Sequence, residues 1–335
     1  MHRPYTIQEI RSRTYKTRDA WWTVLLVDPL ASRLVQFTAG YRWVTPNRLS
    51  LAAFGLGLAA AACFLQADRW WLVAGGLLFH LAFVVDCMDG KIARLNGTGS
   101  IFGVWLDFML DQVRVVICIV ALTAGQYSAT SDERYLVLGG GVLVLDMFRY
   151  LNAWQISKVK NEMRATMASR RGEPAAFVEE LVRELPTGAA DGADLTEIEG
   201  VPLDVNREFR SRFAAFVRVR NWLIRHRIRI HVVSGIEFQM AVFVVGPITG
   251  LLLVVPAVAG ALLVAFELML IYKLWLSTRA FERDLATLDA TEAAEAAEAA
   301  NGPAAAIPGQ RIPDPDRSVR EGHRNYTETA ASTHS

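Results

Sequence analysis

Asp86 and Asp89 lie three residues apart, and Asp107 and Asp111 four apart, so on helices each pair shares a face. All four fall within VVDCMDGKIARLNGTGSIFGVWLDFMLDQV, residues 84–113, whose other positions are largely apolar. Carboxylates cost ~2.5–3.5 kcal/mol each at the centre of a bilayer, and like charges gathered together repel as well. A divalent cation, or two, offsets both penalties. All-oxygen ligands select a hard ion, hence Mg²⁺ or Mn²⁺ over Zn²⁺. Mg²⁺ typically completes its shell with substrate phosphates, and Arg94 offers a charged fork suited to phosphate. Gly90 lets a ligand approach the backbone. The short connection RLNGTGS predicts that the two helices are antiparallel neighbours, with Gly103, four before Asp107, removing bulk where they meet. A helix–helix hydrogen bond explains one aspartate in a span; it does not explain four at facing positions beside an arginine.

The elements that must position these residues are apolar helices. The chain has 335 residues, 52% hydrophobic and 21% charged, and a mean hydropathy of +0.24. Six apolar spans are expected, at 48–66, 70–88, 101–124, 135–155, 231–252 and 254–276, each near the ~20 residues that cross a hydrocarbon core. The predicted fold is therefore an all-α integral membrane protein. The net charge of +1 gives no argument for a nucleic-acid partner. Cys63, Cys87 and Cys118 sit in apolar runs and read as small buried hydrophobes. The polar start MHRPYTIQEIRSRTYKTRDA predicts no cleaved signal peptide.

Three parts follow: an amino-terminal arm (1–45), a six-helix domain (46–284) with an insertion at 157–230, and a low-complexity tail (285–335) expected to be disordered. In the arm, Asp28-Pro29 reads as an N-cap and first helical position. With Trp21, Trp22, Leu25 and Leu26 it predicts an amphipathic helix, either interfacial or packed on the protein's own cytosolic face. Thr45-Pro46 opens the first span in the same way. Amphipathic helices are expected near 173–185 and 206–226. Lys and Arg concentrate in the arm, in 157–230 and after the last span. The positive-inside rule then places both termini and the aspartates on the cytoplasmic side of the cell membrane.

The pattern D-x-x-D-G-x-x-A-R-x8-G-x3-D-x3-D is filled at every fixed position by Asp86, Asp89, Gly90, Ala93, Arg94, Gly103, Asp107 and Asp111. In this the sequence resembles the CDP-alcohol phosphotransferases, and TPNRLS at 45–50 looks like that family's opening segment. The resemblance implies a six-span core that transfers a substituted phosphate from a CDP-linked donor to an alcohol and releases CMP. By position it assigns two metal ions to Asp86, Asp89, Asp107 and Asp111, and the general base to Asp111. It assigns the CDP moiety to Gly90, Arg94 and Ser100, with Asn47, Arg48, Leu49 and Ser50 lining the nucleotide. It also implies a homodimer, for which the small residues Gly139, Gly140 and Gly141 allow close helix contact. It does not reach 157–230 or the tail.

The substrates are less defined. A site open to lipid suits CDP-diacylglycerol as donor; soluble-headgroup donors such as CDP-choline, CDP-ethanolamine or CDP-inositol are the alternative. Asp146, Arg149 and Glu237 lie at the depth of the aspartates. They either pair among themselves or line an acceptor pocket, and Arg149 in the second case favours a phosphorylated polyol. His80 and His231 read as packing or interfacial residues. An intramembrane prenyltransferase would show tighter aspartate motifs repeated in two halves. A divalent-cation transporter would string its carboxylates along a pore rather than gather them beside Arg94.

Overall fold

The computed structural model describes residues 5–16, 18–41, 43–171, 227–229 and 235–301, and every multi-residue regular element among them is helical. Helix α1 (Ile7–Thr14) starts at Thr6, whose hydroxyl accepts from the Glu9 N–H at 3.2 Å. A π-helical turn, Thr23–Val27, runs without a break into α2 (Asp28–Thr38). Asp28 is therefore not the N-cap expected of it: the chain is already helical from Trp21. Pro29 has no N–H to close the preceding turn, and the wider π spacing accommodates that loss. The same device recurs in α7 (Gly235–Thr249), where the π turn Ala241–Val245 also ends two residues before a proline, Pro247.

Between them lie α3 (Pro46–Leu65), α4 (Arg69–Asn96), α5 (Ile101–Thr130) and α6 (Arg134–Arg171); α8 (Val254–Asn301) closes the described chain. Thr45 occupies the N-cap of α3 in extended conformation, but its side chain makes no capping bond. Asp68 caps α4 through the Trp70 N–H at 3.1 Å, and Ser100 caps α5 through the Gly103 N–H at 2.9 Å. Gly97, at φ 62°, ends α4 in the left-handed conformation that a side chain would oppose.

Five helices, α3, α4, α5, α6 and α8, are long and apolar enough to cross a membrane. Of the expected span 231–252, α7 covers Gly235–Thr249, short of the ~17–25 residues a crossing needs, and residues 231–234 lie outside the described residues. Large apolar side chains stand exposed around the bundle, among them Trp70, Ile101 and Val137, as lipid-facing surfaces require.

Helix α3 packs against both α4 and α5. A Cβ at Gly125 of α5 would lie 2.5 Å from the Phe64 carbonyl of α3, so that crossing needs a glycine. Gly103 opens room toward Asn47 of α3, whose Oδ1 would be 3.0 Å from its Cβ, and not toward α4 as its spacing had suggested. Phe243 of α7 packs tilted against Phe79 and stacks on Phe64, with ring centroids 4.5 and 6.3 Å away. Arg69 donates to the carbonyls of Pro247 and Ile248 at 2.8 and 2.6 Å, closing the end of α7. Helix α6 meets α5 where Thr123 fills the space above Gly139. Gly139 is thus spent inside the chain, while Gly140 and Gly141 face open space.

The chain separates into two compact units, Met1–Leu285 and Ala286–Ser335. Helix α8 runs to Asn301, so residues 286–301 are helical where composition predicted a structureless tail. The alanine and glutamate repeat there favours helix on propensity alone. The expected insertion helices at 173–185 and 206–226, His231 and the tail beyond 301 lie outside the described residues.

Candidate active site

The ends of α3, α4 and α5 bring the motif together. Carboxylate oxygens of Asp86, Asp89 and Asp107 all lie within 4.8 Å of one another. Ser50, one turn into α3 and 5% exposed, donates to Asp89 Oδ2 at 2.5 Å. Asp111, the fourth carboxylate, adjoins Asp86 and shares an arginine with it: Arg114 Nη2 is 2.7 Å from Asp111 Oδ1, and Arg114 Nη1 is 3.7 Å from Asp86 Oδ1. Arg114 is only 3% exposed, lies over the Phe79 ring at 5.8 Å and occupies the space that a Cβ on Gly57 would need. Sequence reasoning missed Arg114. Its signal was the three-residue spacing from Asp111, which puts the two on one helix face.

The donor set divides. Gly90 lies beneath the Arg94 guanidinium, 3.6 Å from where a Cβ would be. Asn47 faces Gly103, and Ser100 caps the helix that carries Asp107 and Asp111. Arg48 donates to the Trp43 carbonyl at 2.8 Å, and Leu49 packs against the apolar core.

The residues fit a hard cation. All the donors are oxygens, and Asp107 Oδ1 is buried with no hydrogen-bond partner, the condition of a ligand atom awaiting an ion.

A second polar group lies along α6. Asp146, 1% exposed, accepts from Gln239 Nε2 at 3.1 Å and sits 3.6 Å from Arg149 Nη2. Arg149 Cζ lies over the Tyr150 ring, 3.8 Å from its centre, and next to Gly235, where a Cβ would meet the guanidinium at 2.0 Å. Glu237 is buried on α7. Asn152 donates to Glu267 of α8 at 2.6 Å, a link across 115 positions that the sequence did not announce.

Residues 43–174 match the family model described as CDP-alcohol phosphatidyltransferase. That segment is similar to the CDP-alcohol phosphatidyltransferase family. Among its relatives, a phosphatidylinositol phosphate synthase of Corynebacterium glutamicum is 30% identical over 89 residues, 27% of this chain and 37% of that protein. An archaetidylinositol phosphate synthase of Methanothermobacter thermautotrophicus is 29% identical over 118 residues, 35% of this chain and 54% of that protein. A CDP-diacylglycerol–glycerol-3-phosphate 3-phosphatidyltransferase of Cereibacter sphaeroides is 39% identical over 82 residues, 24% of this chain and 37% of that protein. The matches span between 37% and 54% of those relatives' lengths. Every aspartate of the cluster lies inside the matched segment, as do Arg114, Asp146 and Arg149.

Proposed function

We propose that the protein transfers a substituted phosphate from a CDP-linked alcohol to a second alcohol and releases CMP, as a step in phospholipid synthesis. The observation that carries this reading is the convergence of the four motif aspartates, with Ser50, at one end of α3, α4 and α5. Asp86, Asp89, Asp107 and Asp111 would hold Mg²⁺ or Mn²⁺, two ions by family resemblance. Bound there, the ions supply charge neutralisation for the pyrophosphate and for the leaving CMP. Arg94 over Gly90 takes the donor phosphates, and Asn47 and Ser100 line the CDP side.

Asp111 takes the proton of the acceptor hydroxyl while that oxygen attacks the β-phosphorus. The bond between the β-phosphorus and the bridging oxygen breaks, and CMP carries that oxygen away. Arg114 holds the Asp111 carboxylate in a fixed orientation for this transfer. The exposed apolar girdle supports a lipid-linked donor, CDP-diacylglycerol. Arg149, with a long 3.6 Å ion pair to Asp146 and its guanidinium over the Tyr150 ring, supports a phosphorylated polyol as acceptor, a site that Glu237 would also line. The names of the relatives point the same way: one specifies glycerol-3-phosphate and two an inositol phosphate product.

By the same reading the chain is a six-span homodimer of the cell membrane, with both termini and the active site cytoplasmic. The outer face of the amino-terminal arm, carrying Leu25, Leu26, Leu30 and Phe37, lies in the interface. Purified protein offered a panel of CDP-alcohols should release CMP from CDP-diacylglycerol with Mg²⁺ or Mn²⁺ and stop on chelation. Release from soluble CDP-alcohols alone would move the donor to that class, and no release from any would overturn the reading.

A further inference from the structure

Gln112, beside Asp111, is a polar residue with no evident structural use. Both atoms of its amide are buried and neither has a hydrogen-bond partner. An unpaired buried amide typically destabilises a folded protein, so its neighbours matter. On α5, Gln112 is four residues after Phe108 and eleven before Thr123, so at 3.6 residues per turn the three share one stripe. Both flanking residues touch α6. The Phe108 ring meets Tyr150 edge-on at 5.6 Å, and Thr123 fills the space above Gly139. The stripe therefore runs antiparallel along α6, and Gln112 falls about level with Asp146. Asp146 itself shares a stripe with Gly139 and Tyr150, being seven after one and four before the other. Its Oδ2 is buried without a partner, as is Arg149 Nε.

We infer that Gln112 is a specificity-determining residue whose amide binds a hydroxyl of a polyol acceptor. Asp146 takes a second hydroxyl, and Arg149 takes the acceptor's phosphate. This rests on the proposed transferase reading and adds to it the residue that reads the hydroxyl face. The amide both donates and accepts, as a hydroxyl does, so the pair satisfies both partners. A site built to hydrogen-bond hydroxyls rejects an analogue that lacks them, because its own buried groups are then left unpaired. The unpaired amide of the resting protein is that arrangement before the acceptor arrives.

The inference makes stability and binding move in opposite directions. Gln112→Met keeps the shape and removes the buried amide, so the melting temperature should rise by about 2–4 °C. Acceptor KM should rise by about 10-fold or more, with donor KM within about 2-fold. Thermal shift without turnover gives an independent readout, using inositol phosphate against ethyl phosphate, which carries the anion without ring hydroxyls. Wild-type protein should be stabilised by the first far more than by the second, and Gln112→Met should respond equally to both. Gln112→Asn, which retains a shortened amide, should fall between them. A Gln112→Met protein that is destabilised and keeps the wild-type preference would make Gln112 a packing residue and overturn the inference. Absence of CMP release by wild-type protein would instead strike the transferase reading, and the thermal-shift comparison would still decide the role of Gln112.

Discussion

Two groups of buried charge lie on different faces of α4, two residues apart in sequence, and their bookkeeping differs. Asp89 looks toward α3 and α5, into a cluster where four carboxylates face one short ion pair from Arg114. Lys91 looks toward the amino-terminal arm, where each carboxylate has a basic partner. Its Nζ is 2.8 Å from Asp28, both residues are at most 4% exposed, and Arg227 approaches the same carboxylate at 3.6 Å. Around that pair Arg227 donates to the Lys16 carbonyl at 2.7 Å and lies over the Tyr15 ring at 4.4 Å. Arg229 sits 3.5 Å from Asp19, and backbone bonds of 2.9 and 2.8 Å join Asp19 to Arg227 and Arg229. Carboxylates that each meet a basic side chain tie segments together; carboxylates gathered in excess of their bases favour something of opposite sign. That contrast fits a structural tie on one face of α4 and the proposed chemistry on the other.

The contrast breaks first if the aspartates prove structural. Asp89→Ala should abolish turnover and lose Mn²⁺ binding together, measured by CMP release and by the Mn²⁺ resonance signal, while the protein still folds. Asp111→Asn should lower turnover by about 10²–10⁴-fold and leave donor affinity within a few fold; near-normal turnover at neutral pH would remove Asp111 as the base. Arg114→Gln should lower turnover while tightening Mn²⁺ binding, because it deletes a positive charge beside the carboxylates; weaker Mn²⁺ binding would show that Arg114 only holds the fold. On the opposite face, Lys91→Met should destabilise by about 3–5 kcal/mol by leaving Asp28 without its close partner. The double change Asp28→Leu with Lys91→Met should recover most of that loss, and failure to recover would mean that the junction does more than bind segments. Removal of residues after 301 should have the smallest effect, with CMP release unchanged.

What the sequence disclosed followed from its periodicities. The aspartate pairs, Gly90 and Arg94 were readable because helical spacing fixes which residues share a face, and long apolar runs located α3, α4, α5 and α8. Contacts between distant segments were not readable. Nothing local announces that Asp28 meets Lys91 across 63 positions, or that Asn152 meets Glu267. Gly103 illustrates a subtler limit: its small size was legible, but whether α3 or α4 would use the space depended on packing. In TPNRLS, neighbours project around a helix, so Ser50 reaches Asp89 while Arg48 bonds the Trp43 carbonyl, a division that the run of letters did not display. The extent of α8 past 285 was obscured because the same alanines and glutamates suit both a disordered tail and a helix.

Gly57 and Arg114 constrain each other across time as well as space. A Cβ on Gly57 would fall 2.3 Å from Arg114 Cδ, so alanine is closed to that position while the arginine is present. Once Arg114 is replaced by a short residue, alanine becomes permissible, and it suits a helix interior by about 1 kcal/mol over glycine. Restoring the arginine would then require the alanine to be reversed first. The two positions thus form an epistatic ratchet: the order of substitution decides which sequences remain reachable. A lineage that has taken both steps is barred from returning by a single change.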